Sequence, residues 1–88
     1  MSRIVGLDPG TVRIGVAVSD PLHLTAQPHG NLEGGDDLDD RLRQLADDTE
    51  AEVFVVGLPV SLDGREGPAA EAARRLAARV AEATGVPV

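Results

Sequence analysis

An aspartate ends the first apolar run of the chain, and its carboxylate is the first candidate for chemistry. The run RIVGLD closes on Asp8, the turn PGT follows at once, and a second apolar run, VRIGVAVSD, begins directly after it. Mg²⁺ takes few protein oxygens and keeps its other positions for water and phosphate, so one or two rigidly held aspartates suffice as anchors. An aspartate before Pro-Gly also commonly caps a turn. The spacing alone leaves both interpretations of Asp8 open.

A second polar segment, SLDGREGP, follows the apolar run EVFVVGLP. We expect its acids, Asp63 and Glu66, on the same side of the sheet as Asp8, where they could make an auxiliary metal or substrate contact. Arg13 and Arg65 could meet phosphate. The alternative for the segment is an ordinary Asp-Gly turn followed by helix-start residues, and an exposed arginine is by default solvated with a weak ion pair.

Other polar residues are expected to be structural. We predict that Asp20, at the far end of the first hairpin, has a turn role. His23 and His29 fall in a weak strand without ligand-like spacing, and we expect ordinary surface or edge positions for both.

The elements that must position Asp8 are mainly strands. Residues 3–8 and 12–20 predict a hairpin, because two β-branched runs flank turn residues. The segment LTAQPHGNLE predicts a weaker third strand, and Pro28 places it on a sheet edge because proline has no amide for a ladder. The continuous apolar run at 52–59 predicts a parallel strand that is buried on both faces and lies in the middle of the sheet.

Two helices are predicted between and after these strands. The first covers 36–50, where leucines recur at helical spacing. The second starts at Pro68, which the first turn of a helix tolerates, and stops at Gly85. With VPV as the beginning of another strand, the order is β-β-β-α-β-α-β, an α/β mixed sheet with helices on its faces. The first strand then ends near the centre, where such sheets form their ligand crevice.

Composition limits the classes of protein. A chain of 88 residues makes one small domain, its core must be aliphatic because it has one Phe and no Trp or Tyr, and it has no Cys for disulfides or thiolate metal sites. We expect a cytoplasmic location, since there is no secretory signal and no apolar stretch of membrane-span length. The net charge of −7 argues against a non-specific nucleic-acid binder, but residues 36–50 carry most of it.

Two motifs together resemble a known family. The stretch GLDPGTVRIGVAVSDP, with VVGLPVSLDGREGP about forty residues later, is similar to the YqgF family, also called RuvX, of Holliday-junction resolvases and pre-16S rRNA nucleases. The resemblance covers nearly the whole chain. It implies a ribonuclease-H-like fold and metal-dependent hydrolysis of phosphodiesters in pre-16S rRNA or branched DNA.

The resemblance also implies site residues. Asp8 corresponds to the first-strand catalytic metal ligand, and the cofactor would be Mg²⁺ or Mn²⁺. A pair of such ions needs several carboxylates, and the family's other acids lie in segments beyond Val88, so we expect these 88 residues to be inactive alone. The candidate substrate contacts are Gly10, Thr11, Arg13, Asp63, Arg65 and Glu66.

Two further function classes stay open. An actin-like or sugar-kinase ATPase also carries Asp-x-Gly-Thr in its first hairpin, although a chain this short cannot supply the two lobes that clasp ATP. A non-catalytic ribonuclease-H-like module that binds RNA or protein would need no further carboxylates. The expected partner is nucleic acid rather than a membrane. In the strand order that the resemblance implies, a strand starting at Val86 pairs beside residues 53–58, so stopping at Val88 leaves this apolar run with a largely unpaired edge. Such an exposed sheet edge predicts a homodimer.

Overall fold

The computed structural model describes residues 3–10, 13–20, 22, 25–58 and 67–88 of the chain. Six elements follow one another in the predicted order: β1 Arg3–Pro9, β2 Arg13–Ser19, β3 Ala26–Glu33, α1 Leu38–Thr49, β4 Ala51–Val56 and α2 Pro68–Thr84. The mixed sheet and two helices confirm the α/β class, and their order is the one expected of a ribonuclease-H-like domain.

The sheet has the spatial order β3-β2-β1-β4. β1 pairs antiparallel with β2 and parallel with β4, and β2 pairs antiparallel with β3. The predicted hairpin is therefore confirmed, and Pro28 lies on an edge strand as predicted. β1 is an inner strand, so its carboxyl end, which carries Asp8, lies between two neighbours.

One face of this sheet carries the core. Val5 and Leu7 of β1 are buried, as are Ile14 and Val16 of β2 and Phe54 of β4. Because side chains alternate along a strand, the residues between them point to the opposite face. Both helices contribute to the same cluster of buried residues, so they cover one face and leave the other uncovered by any described helix.

Helix α1 packs through a leucine stripe. Leu38, Leu42 and Leu45 are buried, as their helical spacing predicts. The buried hydroxyl of Thr49 donates to the carbonyl of Leu45 at 2.6 Å, which satisfies the polar group inside the helix. Glu50 then takes a left-handed conformation with φ 53°, and its amide donates to the carbonyls of Ala46 and Asp47 to end the helix.

Helix α2 is bounded as predicted. Pro68 occupies its first turn, and Gly85, with φ 71°, ends it by donating its amide to the Ala81 carbonyl. Its buried positions include the small residues Ala70 and Ala73, which allow close approach to its neighbours.

Exposed ion pairs accompany the apolar contacts between the helices. Arg79 of α2 donates through Nε to Asp39 of α1 at 2.6 Å.

A further exposed ion pair lies at the start of α1. Arg41 Nε donates to Asp37 Oδ2 at 2.8 Å, and this hydrogen bond holds the pKa of the Asp37 carboxyl below its usual value. Such exposed pairs contribute little to the free energy of folding.

Strand β4 differs from its prediction in two respects. It lies at an edge of the described sheet rather than in the middle, and it is not buried on both faces, since Val55 is 54% exposed. The predicted strand start at 86–88 forms no strand, although the Phe54 amide donates to the Pro87 carbonyl at 2.8 Å. Val55 lies on the face of the sheet that no described helix covers, and this explains its exposure.

Within the ranges that the structure describes, neither helix has the length and apolar character needed to cross a bilayer.

Candidate functional site

Asp8 lies near the carboxyl end of β1, on the face of the sheet that the helices leave open. It pairs with Gly15 of β2. On the other side, the Gly57 amide donates to the Leu7 carbonyl at 2.9 Å, which fixes the residue after β4 beside Asp8. The backbone hydrogen bonds of two neighbouring strands therefore hold the Cα of Asp8 rigidly, as an anchor for a ligand requires.

The residues beside Asp8 on the two neighbouring strands are both glycines, Gly15 of β2 and Gly57 directly after β4. A Cβ at Gly15 would lie 3.6 Å from the Asp8 Cβ, and a Cβ at Gly57 would lie 3.9 Å from Asp8 Oδ1. Because glycine has no side chain, no neighbouring side chain covers the Asp8 carboxylate from either of these positions. It is exposed and makes no hydrogen bond or ion pair with any other described residue. Its oxygens are therefore available to a ligand.

The open face below Asp8 forms a shallow depression of about 400 Å³. Small residues of the two inner strands, Gly6 and Ala17, make its floor, and Pro28 and Val55 on the outer strands stand at its sides. The depression therefore combines an apolar floor with one carboxylate at its end.

The turn between β1 and β2 depends on Gly10. Its amide donates to the Arg13 carbonyl at 2.9 Å, and a Cβ at this position would lie only 2.6 Å from that carbonyl oxygen. A residue with a side chain could not keep this hydrogen-bond geometry. The predicted substrate contact of Gly10 stays a prediction, while its role in the turn is visible.

Arg13 lies at the Asp8 end of the sheet and on the same open face, since it alternates in phase with Gly15. Its Nε is 3.9 Å from Oε1 of Glu33, the residue it pairs with on β3. Both side chains are more than half exposed, so this ion pair is weak. The Arg13 guanidinium is therefore exposed on the open face, and its contact with phosphate stays a prediction.

Asn31 is a polar residue of this face that the sequence did not reveal. It pairs with Gly15, and Pro28 pairs with Ala17, so two residues of β3 oppose Val16 in a bulge. Strict alternation from Pro28 would place Asn31 on the face of the sheet that the helices cover. Gly30, with φ 94°, is part of this bulge, and an isolated glycine in a strand pattern is the signal that could have indicated it.

Several predicted residues are not in this site. Thr11, Asp63, Arg65, Glu66 and His23 lie outside the described residues. His29 is exposed on the edge strand, as expected. The turn role of Asp20 is confirmed, because its amide donates to the Thr25 carbonyl and its Oδ1 accepts from the Thr25 amide at 2.9 Å, at the opposite end of β2 from Asp8.

A single hydrated Mg²⁺ or Mn²⁺ fits Asp8. The residue supplies one rigid, exposed carboxylate with open space on both sides, and Mg²⁺ usually retains several waters beside one or two carboxylates. A two-ion centre needs more, and no three His, Asp or Glu side chains converge on one point in the described ranges. Among the described residues, Asp8 alone would hold such an ion, and a two-ion centre would need further carboxylates.

Several bacterial proteins are similar in sequence to this chain. Three relatives from Streptococcus pneumoniae, of strains G54, Hungary19A-6 and D39, are each named "Putative pre-16S rRNA nuclease" and are 43% identical to it over 90 residues. The match covers 98% of this chain and 65% of each relative, so the chain spans about two thirds of their length.

A family model gives the broader assignment. The model described as RuvX, Holliday junction resolvase, matches residues 2–88. That range contains Asp8, the turn at Gly10 and both motifs on which the resemblance was based. The chain therefore belongs to the RuvX family.

Proposed function

We propose that the protein containing this chain is a metal-dependent nuclease that hydrolyses phosphodiesters in pre-16S rRNA. The observation that carries the proposal is the position of Asp8, an exposed carboxylate held at the end of an inner strand between two glycines. The names of the relatives support RNA as the substrate. The family description favours branched DNA as a second candidate, and cleavage assays with both nucleic acids would distinguish them.

Asp8 would hold the Mg²⁺ or Mn²⁺ ion in this proposal. When bound, such an ion activates a water and stabilises the leaving oxygen. Arg13 would orient a phosphate from the same face, and Gly10 keeps the turn tight enough to leave that face open. The remaining carboxylates would come from residues outside those described, and the cytoplasmic location stays a prediction.

The first test measures metal binding. Asp8→Asn removes the charge but keeps the shape, so we expect it to weaken Mn²⁺ binding at least about tenfold, measured by isothermal titration calorimetry. Asp47→Asn, an exposed acid on α1, is the matched control and should leave the affinity unchanged. Equal Mn²⁺ affinity in Asp8→Asn and the unaltered chain would refute the metal site.

Turnover separates the remaining function classes. We expect no metal-dependent cleavage by the 88-residue chain and Asp8-dependent cleavage by a chain extended to the length of the relatives. A longer chain that binds RNA without cleaving it would instead support the non-catalytic module. ATP binding would support the ATPase, which the family match over residues 2–88 does not favour.

A further inference from the structure

One row across the sheet joins Asp8 to an asparagine on the edge strand. Asp8 pairs with Gly15, and Gly15 pairs with Asn31. Directly paired residues of neighbouring strands project from the same face. Asp8 and Asn31 therefore stand on the open face with one strand between them, about 10 Å apart at their Cα atoms because neighbouring strands are about 4.8 Å apart.

The residue between them leaves a slot. A Cβ at Gly15 would lie 3.6 Å from the Asp8 Cβ and 3.9 Å from Asn31 Oδ1. The Asn31 carboxamide therefore reaches to the edge of the space above Gly15, and Asp8 borders that space from the other side. A ligand held at Asp8 has an open path across Gly15 to the Asn31 carboxamide.

The chemistry of Asn31 suits a neutral contact to a nucleic-acid backbone. Its carboxamide offers two donors and an acceptor, is exposed, and makes no hydrogen bond with another described residue. Its nearest acids on this face are Asp8 in the same row and Glu33 two residues along β3. A donor without charge can bind a phosphate or ribose oxygen here and adds no further repulsion toward it.

We propose that Asn31 is a substrate-positioning residue, whose carboxamide donates a hydrogen bond to a sugar or phosphate oxygen of the nucleic-acid strand held at Asp8. The inference rests on the proposed nuclease function and adds to it a second point of contact. Contacts of this kind fix the register of a nucleic acid rather than read its sequence. Two contacts about 10 Å apart would align the strand across β1, β2 and β3.

The test measures RNA binding rather than turnover. The probe is a fluorescein-labelled single-stranded RNA oligonucleotide with Mn²⁺, and the readout is fluorescence anisotropy of the 88-residue chain. We expect Asn31→Ala to raise Kd about five- to tenfold, the effect of one hydrogen bond to a charged or polar oxygen. Asn31→Asp keeps the shape but replaces the donor with a negative charge, so its Kd should rise at least as much.

Gln27→Ala is the matched control. Gln27 is an exposed amide on the same strand, but it pairs with Val18 and so lies on the opposite face. Its substitution should leave Kd unchanged. A second variant, Gly15→Ala, fills the slot without altering either polar side chain, since its methyl contacts would lie at ordinary van der Waals distances. It should also weaken RNA binding.

A DNA oligonucleotide of the same sequence identifies the oxygen. If the effect of Asn31→Ala disappears with DNA, the carboxamide contacts a ribose hydroxyl; if it persists, the carboxamide contacts a phosphate. Either result supports the inference. Equal RNA affinity of Asn31→Ala and the unaltered chain, or no RNA binding by the unaltered chain, overturns it. The proposed function is judged separately by Asp8-dependent Mn²⁺ binding, so a failure of the Asn31 contact leaves the proposed function intact, and a failure of the proposed function is recognised by its own measurement.

Discussion

Two glycines near Asp8 have opposite structural consequences. The Cβ missing from Gly10 would lie 2.6 Å from the Arg13 carbonyl oxygen, a distance that forces the turn to move. The Cβ missing from Gly15 would meet only contacts of 3.6 Å or more. The turn therefore requires glycine at position 10, whereas the strand does not require it at position 15.

This contrast predicts opposite effects on stability. Gly10→Ala should lower the free energy of unfolding by about 1–3 kcal/mol, because overpacking strains the turn. Gly15→Ala should leave it unchanged or raise it by about 0.5–1 kcal/mol, because alanine loses less conformational entropy in a strand. Urea denaturation followed by far-UV circular dichroism measures both values. A large loss of stability in Gly15→Ala would mean that this glycine is needed for folding and not for ligand access.

Individual site residues differed in how far the sequence could predict them. Asp8 and Gly10 belong to a local pattern, an apolar run followed by turn residues, so their positions could be read directly. Asn31 could not be, because the bulge opposite Val16 shifts the alternation of β3 by one residue. Bulges depend on the pairing between strands, which a single run of residues does not specify.

At the scale of elements, the leucine stripe of α1 holds the helix against the sheet. Leu42 is fully buried within the core cluster. Burial of one leucine contributes about 1.5–3 kcal/mol from the transfer of its apolar surface. In a domain of 88 residues that is a large fraction of the total stability.

Leu42→Ala should therefore lower the free energy of unfolding by about 2–5 kcal/mol, the sum of lost burial and the cavity left behind. Leu58→Ala removes the same atoms from a side chain that is 42% exposed, and its effect should be much smaller. Chemical denaturation of the two variants compares them directly. Similar losses in both would show that α1 does not pack on the sheet through this stripe.

The helices were predictable in their bounds and buried faces, because leucine spacing, Pro68 and Gly85 act locally. Which face of the sheet each helix covers was not predictable from these signals. The position of β4 in the sheet was mispredicted for a related reason. A continuous apolar run shows that a strand is hydrophobic, but a strand is central only when another strand pairs with its outer edge.

At the scale of the whole molecule, the outer edge of β4 determines whether the chain self-associates in solution. The Phe54 amide is bonded to Pro87, and exposed apolar side chains, those of Val55, Leu58 and Val88, surround the edge. Exposed apolar strand edges pair readily with another chain. The net charge of −7 opposes association only weakly, since charges beyond about 8 Å are screened at physiological salt.

We predict that the 88-residue chain self-associates, most simply as a two-fold dimer, and that Val55→Lys abolishes this association. Charged side chains on edge strands, lysine above all, protect natural sheets against pairing with another chain. Gln27→Lys, on the opposite edge strand, is the control and should not dissociate the dimer. Sedimentation equilibrium over a wide concentration range measures both. A 9.1 kDa monomer at every concentration would contradict the prediction.

The buried Phe54 is the only aromatic residue of the chain, which has neither Trp nor Tyr. Its ring is fully enclosed where β4 meets the helices. The protein will absorb almost nothing at 280 nm, so its concentration must be measured by another method. The aromatic region of a proton NMR spectrum will also be simple, because besides the two histidines only Phe54 contributes signals there. The rate of 180° flips of the Phe54 ring will report how often the centre of this small core opens, because a buried ring can flip only when its neighbours move apart.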